Sequence, residues 1–386
     1  MKSIKIFSRL NSLCLFCNNP SHTPLTPLEG RPSHRSDSAD FVFRGQRGRA
    51  SKYRKYRIIG QTQTIKLFYL IVLIIFTTAC KMSDTQKGPH GYKHVEPLQS
   101  MRDLDYPFEV NYADLDNDIQ LVYADEGRGE QTIIFIHGLG SYMKAWYKNV
   151  EVLKDNYRCI AVDLPGYGKS SKAAHNGQMS FYAGVIKELI DKLELKNVVL
   201  AGHSMGGQIS IMAAVNYPEI IQKLILVDPA GFEIFNKGQK QWFREVMTVD
   251  GVMLTTVEQI QTNLAYNFNK MPTDAEFMIA DRIAMRSADD FENYCYAVVQ
   301  SVGGMVDEPV FDILKTVQQP VLILFGKNDN LIPNRFLNPG RTITIANAGH
   351  EQLPNSKLVI VPDCGHFSQF EKAAVFNEEV KGFLGE

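Results

Sequence analysis

Apolar and polar positions along the 386-residue chain fall into three regimes. In the middle of the chain, short uninterrupted apolar runs alternate with stretches at helical spacing. Residues 132–136, 159–162, 198–200 and 224–227 show no inside–outside alternation, the signature of strands buried on both faces. Between them, Trp146 and Val150 share one helical face. Phe181, Val185, Ile186, Leu189, Ile190 and Leu193 recur three or four residues apart, and 208–216 is a small-residue helical pattern. This alternation implies right-handed crossovers and an α/β class with a mostly parallel central sheet flanked by helices. Upstream, 108–112 and 119–123 read as two strands around a turn at 114–118, with the folded part starting near Tyr106.

The alternation stops after Gly231. From 232 to 310 no strand is expected, and apolar residues from Trp242, Phe243 and Met247 to Tyr294 and Tyr296 recur at helical intervals. The expectation is a helical cap inserted into the α/β core. Its Met- and Phe-rich surface suits a varied apolar acyl or alcohol group. Strands at 320–325 and 358–361 resume the pattern, and Val375, Phe376, Val380, Phe383 and Leu384 mark a closing helix. The α/β core is thus expected over 106–231 and 311–386.

The N-terminal regime is different. Residues 1–57 are basic and rich in Ser, Arg and Pro without a sustained period, and read as a disordered basic region, with a transit peptide or a nucleic-acid tail as alternatives. A start codon assigned too far upstream would explain them equally well. Over 58–80 a signal follows: a positive flank ending at Lys66, ten apolar residues from Leu67 to Phe76, then Thr77-Thr78-Ala79-Cys80. Ten residues are too few for an ordinary membrane span and suit a signal-peptide apolar region. The ending resembles a bacterial lipobox, although Thr77 stands where Leu is usual. Cys80 would then be the lipidated first residue of a protein held in the cell envelope. A plain signal peptide, or an uncleaved anchor, leaves Cys80 incidental. Polar, proline-bearing residues 81–105 read as the tether.

Charge changes the picture little. Residues 1–57 hold twelve Lys/Arg against three acidic residues, so a formal net charge of −1 for the whole chain leaves the rest at −10. An acidic body gives no reason to expect a nucleic-acid partner. The six cysteines are scattered; Cys14-x-x-Cys17 lacks the second ligand pair a zinc site needs. No metal or cofactor motif is present.

The chemistry concentrates in Gly202-His203-Ser204-Met205-Gly206, a G-x-S-x-G pattern between the strand at 198–200 and the helix at 208–216. Such a turn projects the serine hydroxyl beyond the sheet. Small flanking residues let strand and helix approach. Serine at its free pKa is a weak nucleophile and needs a base oriented by an acid. Asp329 and His366 follow in loops after two later strands, in the order Ser–Asp–His.

These pieces, with His137-Gly138-Leu139-Gly140, 163–170, 326–333, Gly365-His366 and Phe370-Glu371-Lys372, resemble the α/β-hydrolase superfamily, in its capped bacterial serine esterase and C–C hydrolase branch. The resemblance runs from about Tyr106 to the C-terminus. It implies Ser204 as nucleophile, His366 as general base then acid, Asp329 as orienting carboxylate, and the backbone N–H groups of Met205 and Leu139 as oxyanion hole.

Several residues compete for these roles. Asp228 follows the strand after the elbow, where some members of the superfamily keep the acid; a structural turn residue is the simpler reading. Asp363 is too close to His366 in sequence to orient it well, and His350 reads as a surface imidazole. His137 and His203 read as loop-holding residues. Gly168-Lys169-Ser170 is not a phosphate loop, because the first glycine position is Asp163. Serine at the elbow argues against epoxide hydrolases and haloalkane dehalogenases, which use Asp there. The expected activity is hydrolysis of a small apolar carboxylic ester without a cofactor. C–C bond hydrolysis, peroxidase-like use of the same triad, and a non-catalytic binding module stay open.

Overall fold

The computed structural model describes residue 92 and residues 95–385. Residues 1–57, the 58–80 signal with Cys80, and most of 81–94 lie outside the described residues. Among the described residues, no helix is long and apolar enough to cross a membrane.

Eight strands form one sheet in the order β1-β2-β4-β3-β5-β6-β7-β8. They are β1 (Asn111–Asp114), β2 (Gln120–Glu126), β3 (Thr132–Ile136), β4 (Arg158–Asp163), β5 (Val198–His203), β6 (Ile221–Val227), β7 (Val321–Gly326) and β8 (Ser356–Val361). β1 and β2 are antiparallel to their neighbours, and β3 to β8 pair in parallel. Chain order steps outward from β3 to β4, then returns to place β5 on the other side of β3. The loops after β3 and β5 therefore diverge at a topological switch point, where open α/β sheets bind ligands.

Alternate residues of the central strands feed two cores. Ile134, Ile136, Leu200, Leu224 and Phe325 pack on one face, with apolar residues of the helices Met179–Lys192 and Met205–Asn216. Ile133, Phe135, Val199, Ala201 and Leu324 face the other way, against Trp146, Val150, Phe376 and Val380. Burial on both sides explains why these strands read as unbroken apolar runs.

Residues 232–310 hold five α-helices: Lys237–Val246, Val249–Met253, Val257–Tyr266, Glu276–Met285 and Phe291–Asp307. Local sequence starts several of them. Asn236 and Gln239 form a capping box, as do Thr256 and Gln259, and Thr248 caps Val249–Met253.

Two expectations are corrected. The first strand is Asn111–Asp114, not 108–112. Asn117 and Asp118 take left-handed backbone angles, so the chain reverses within 115–119 and the polar segment before it pairs with β2. The apolar Phe108 and Val110 instead pack against the second core. Nor does the tether extend to 105. Met101 and Leu104 are buried, and the Met101 N–H donates to Asp290 Oδ1 (2.9 Å). The Leu98 N–H donates to the Ala284 carbonyl (3.3 Å), joining this segment to the cap. Two apolar anchors in a polar stretch are enough to fix it, and composition averages them away.

Candidate active site

Ser204 links β5 to the helix Met205–Asn216 with φ 52° and ψ −117°, a strained conformation for a residue with a Cβ. Neighbouring glycines make the turn possible. A Cβ on Gly202 would lie 2.2 Å from the Gly206 carbonyl oxygen, and one on Gly206 would lie 2.3 Å from the Ile136 carbonyl oxygen. Hydrogen bonds fix the turn: the Ser204 N–H donates to Val227 O (2.9 Å), and Ser204 O accepts from Ala230 N (3.0 Å) and Gly207 N (2.9 Å).

β7 and β8 deliver the next two side chains. Asp329 Oδ1 accepts from the backbone N–H groups of Leu331 (2.7 Å) and Ile332 (3.1 Å). Its Oδ2 lies 2.8 Å from His366 Nδ1. That contact assigns the proton to Nδ1 and leaves Nε2 as the basic nitrogen. Burial acts against the imidazolium, but the charge and hydrogen bond of Asp329, with Asp228 beyond it, outweigh burial and hold the pKa of His366 above its usual value. The His366 N–H donates to the Asn267 carbonyl of the cap (2.7 Å).

Ser204 and His366 line one cavity of about 300 Å³. Among the described residues, the Ser204 hydroxyl makes no hydrogen bond in this state. Catalytic hydrogen bonds are commonly long before substrate binds. The Leu139 and Met205 N–H groups follow β3 and open the elbow helix, and neither donates to another group among the described residues. Two free amides flanking a serine are suited to an oxyanion.

The histidines of the two loop motifs are held in place. The Leu164 N–H donates to His137 Nε2 (3.1 Å), so Nδ1 carries the proton and donates to Gly138 O (2.8 Å). Burial pushes the His137 pKa down to about 4. His203 Nε2 donates to the His366 carbonyl oxygen (2.9 Å). His350 is half-buried against Ser356 Oγ (2.8 Å), and Asp363 is an exposed turn residue at φ 50°.

Sequence reasoning undervalued Asp228. It is fully buried, with donors at Gly326 N (2.7 Å) and Ser368 N (3.3 Å). Burial, and then the nearby Asp329 charge, push its pKa up, while the His366 charge and the two N–H donors oppose that shift. One ligand-capable atom from each of Asp228, Asp329 and His366 falls within 4.8 Å of the others. The carboxylate oxygens of both acids already accept N–H donors, which makes the cluster a hydrogen-bonded orienting set rather than a vacant ligand set.

Arg282, from the cap, was also missed. Its guanidinium donates to Gly140 O and lies 4.9 Å over the Tyr294 ring, while Tyr294 donates to the same carbonyl (3.1 Å). Its Nε is buried without a partner, and no carboxylate pairs with it among the described residues. Arg282 lines a second cavity of about 420 Å³, which shares Leu139 and Asn267 with the first. No motif marks this residue in the sequence; only the folded cap brings it to the loop after β3.

The family model for the alpha/beta hydrolase fold matches residues 131–373. The chain belongs to the alpha/beta hydrolase fold family. It is a hydrolase of that fold, with a cavity suited to a small-molecule substrate. The 2-hydroxy-6-oxononadienedioate/2-hydroxy-6-oxononatrienedioate hydrolase of Paraburkholderia phymatum is 28% identical over 291 residues, 72% of this chain and 95% of that one. The dihydrolipoyllysine-residue acetyltransferase component of the acetoin cleaving system of Cupriavidus necator is 27% identical over 310 residues, 79% of this chain and 77% of that one. Among solved structures, an esterase from Exiguobacterium antarcticum superimposes with a TM-score of 0.61 at 23% identity, covering 72% of this chain and 100% of that one. This last likeness shows the fold.

Proposed function

We propose that this hydrolase cleaves carboxylic esters through an acyl-enzyme on Ser204, without a cofactor. The observation that carries the reading is the buried Asp329–His366 couple (2.8 Å) beside the cavity that also holds the strained Ser204. In the first half-reaction, Ser204 Oγ attacks the carbonyl carbon as its proton passes to His366 Nε2. The Leu139 and Met205 N–H groups stabilise the tetrahedral oxyanion; one such donor contributes roughly 3–4 kcal/mol in the transition state. The C–O bond to the alcohol then breaks, and the imidazolium protonates the departing oxygen. Water repeats the sequence on the acyl-enzyme, losing a proton to His366 and releasing the acid and free Ser204.

The test is hydrolysis of an activated short-chain ester by wild type and Ser204→Ala. A fall of about 10⁴-fold or more supports the reading. Equal rates above background would take the nucleophile away from Ser204, and no rate above background in wild type would leave the binding-module alternative on this fold.

One observation favours a second reading, C–C bond hydrolysis with the same triad. Arg282 is a cation without a carboxylate partner beside the loop carrying Leu139. A guanidinium there suits an acidic substrate, as in the dienedioate named for the Paraburkholderia phymatum relative.

Envelope attachment through Cys80 is also proposed, supported by the sequence of 66–80. The intact mass of membrane-extracted protein tests it. A mature chain starting at acylated Cys80 is expected, and a free start at Met1 contradicts it.

A further inference from the structure

The helix Lys237–Val246 has no buried residue, although it carries Trp242, Phe243 and Val246. Phe243 turns toward the cavity, ring to ring with Phe235 at 5.0 Å, and leaves Trp242 outside, 39% exposed. This helix does not stand alone. Gln239 donates to Leu337 O (2.8 Å) and Asn338 Oδ1 (2.9 Å). Asn338 donates to Glu233 Oε1 (2.8 Å) and to Ile234 O (3.0 Å). Three chain segments are thereby stitched into one surface that presents Ile234 at 59% exposure and Phe336 at 90%. Leu331, also exposed, lines the cavity with Phe235 and Lys240, so this apolar surface rims the mouth of the site. Exposed apolar side chains brought together by such segments mark a candidate interaction site.

Charge selects the partner. Lys237, Lys240, Arg335 and Arg341 belong to these same segments, in a chain that is net acidic beyond residue 57. The acidic groups there are Glu233 and Glu245. The Glu233 carboxylate is taken by the Asn334 N–H (3.0 Å) and Asn338, and Glu245 accepts from Gln241 (2.9 Å). Arg244 pairs with Asp307 and adds no free charge. An amphipathic helix with Trp on one side and lysines on the other is the composition of interfacial helices. A second copy fits less well, because a two-fold contact would set these basic residues against themselves.

We propose that this face of the cap docks on a bilayer surface rich in anionic lipid, turning the cavity mouth toward the membrane. The proposal stands apart from the triad chemistry, so Ser204→Ala should dock as wild type does.

The chain has two tryptophans. Trp146 is fully buried against Phe135 and Phe376, which leaves Trp242 as the reporter of surface contact. Purified full-length protein is titrated with phosphatidylglycerol or phosphatidylcholine vesicles, with and without brominated acyl chains. With phosphatidylglycerol, Trp242 emission should shift to the blue and be quenched by bromine, and Trp242→Phe should remove both signals. Lys237→Gln and Arg341→Gln should each weaken the response about fivefold. Vesicle binding without a change in Trp242 emission would place the contact elsewhere on the chain and overturn the proposal. An equal response to phosphatidylcholine would overturn the anionic selection. A lipid-independent shift that follows protein concentration, with a doubled mass, would assign the face to a second copy.

Discussion

His203 and His366 are joined by a hydrogen bond from the imidazole of one to the carbonyl of the other, Nε2 to O at 2.9 Å. The residue before the elbow serine therefore holds the loop that carries His366. Their rings lie 4.9 Å apart, and Phe367 packs against His203 at 4.5 Å. With Nε2 as donor, Nδ1 is a lone-pair nitrogen, and it is buried without a partner. Burial, with the nearby His366, holds the His203 pKa well below its usual value, so the ring stays neutral.

His203→Phe keeps the ring volume and removes the donor. The imidazole of His366 then loses one of its positional restraints, and a displacement near 1 Å can cost about a hundredfold. The expected result is a fall of roughly 10–100-fold in kcat with little change in KM. The pH at the midpoint of the acid limb should stay put, because no charge near His366 is removed. Steady-state kinetics across pH checks both.

The pH profile itself separates the two carboxylates. His366 must be neutral to accept a proton, and Asp329 and Asp228 hold its pKa up. kcat/KM should therefore rise with pH through a midpoint above about 6.5. Asp329→Asn removes the larger of these two charges and the Nδ1 partner, leaving burial to dominate. The midpoint should drop and the rate should fall about 10³–10⁴-fold. Asp228→Asn should move the midpoint less and cost far less rate. An equal loss for both variants would mean that Asp228 shares the orienting role.

The elbow glycines make a stability prediction. Gly206→Ala would put a methyl group 2.3 Å from Ile136 O, where backbone must move. The expected cost is about 1–3 kcal/mol or more. Gly303→Ala meets nothing within 4 Å and lies within the helix Phe291–Asp307. It should raise stability by up to about 1 kcal/mol. Denaturant midpoints of the two variants should move in opposite directions.

Arg282 distinguishes the substrate readings. Arg282→Met keeps apolar bulk and removes the charge beside Gly140. Loss of about 10–100-fold in kcat/KM for substrates bearing a carboxylate, with neutral esters unaffected, would favour an acidic substrate. Equal loss on both classes would make Arg282 a support for the loop after β3.

The strands and the elbow were legible because each rests on local, repeated signals. Residues 132–136 are apolar at every position since both sheet faces are covered. Gly202 and Gly206 mark a turn that admits no Cβ at either place. Asp329 and His366 were legible by their order after strands and by the family resemblance. Asp228 reads as a turn residue in the sequence, and its left-handed φ of 42° agrees. Its closeness to His366 depends on how three strands end side by side, which no local pattern encodes. Arg282 and the Asn267 carbonyl reach the site through packing of the cap, and helical periodicity says nothing about where a cap sits. The first strand was misplaced because an edge strand with three exposed residues of four carries little apolar signal.

The central claim is that Ser204 becomes covalently acylated with His366 as its base. Reaction with a fluorophosphonate, followed by peptide mass mapping, tests it most directly. The adduct should sit on Ser204 in wild type and label at least 10³-fold more slowly in His366→Ala. An adduct mapped to a peptide lacking Ser204, or labelling indifferent to His366, would contradict the account.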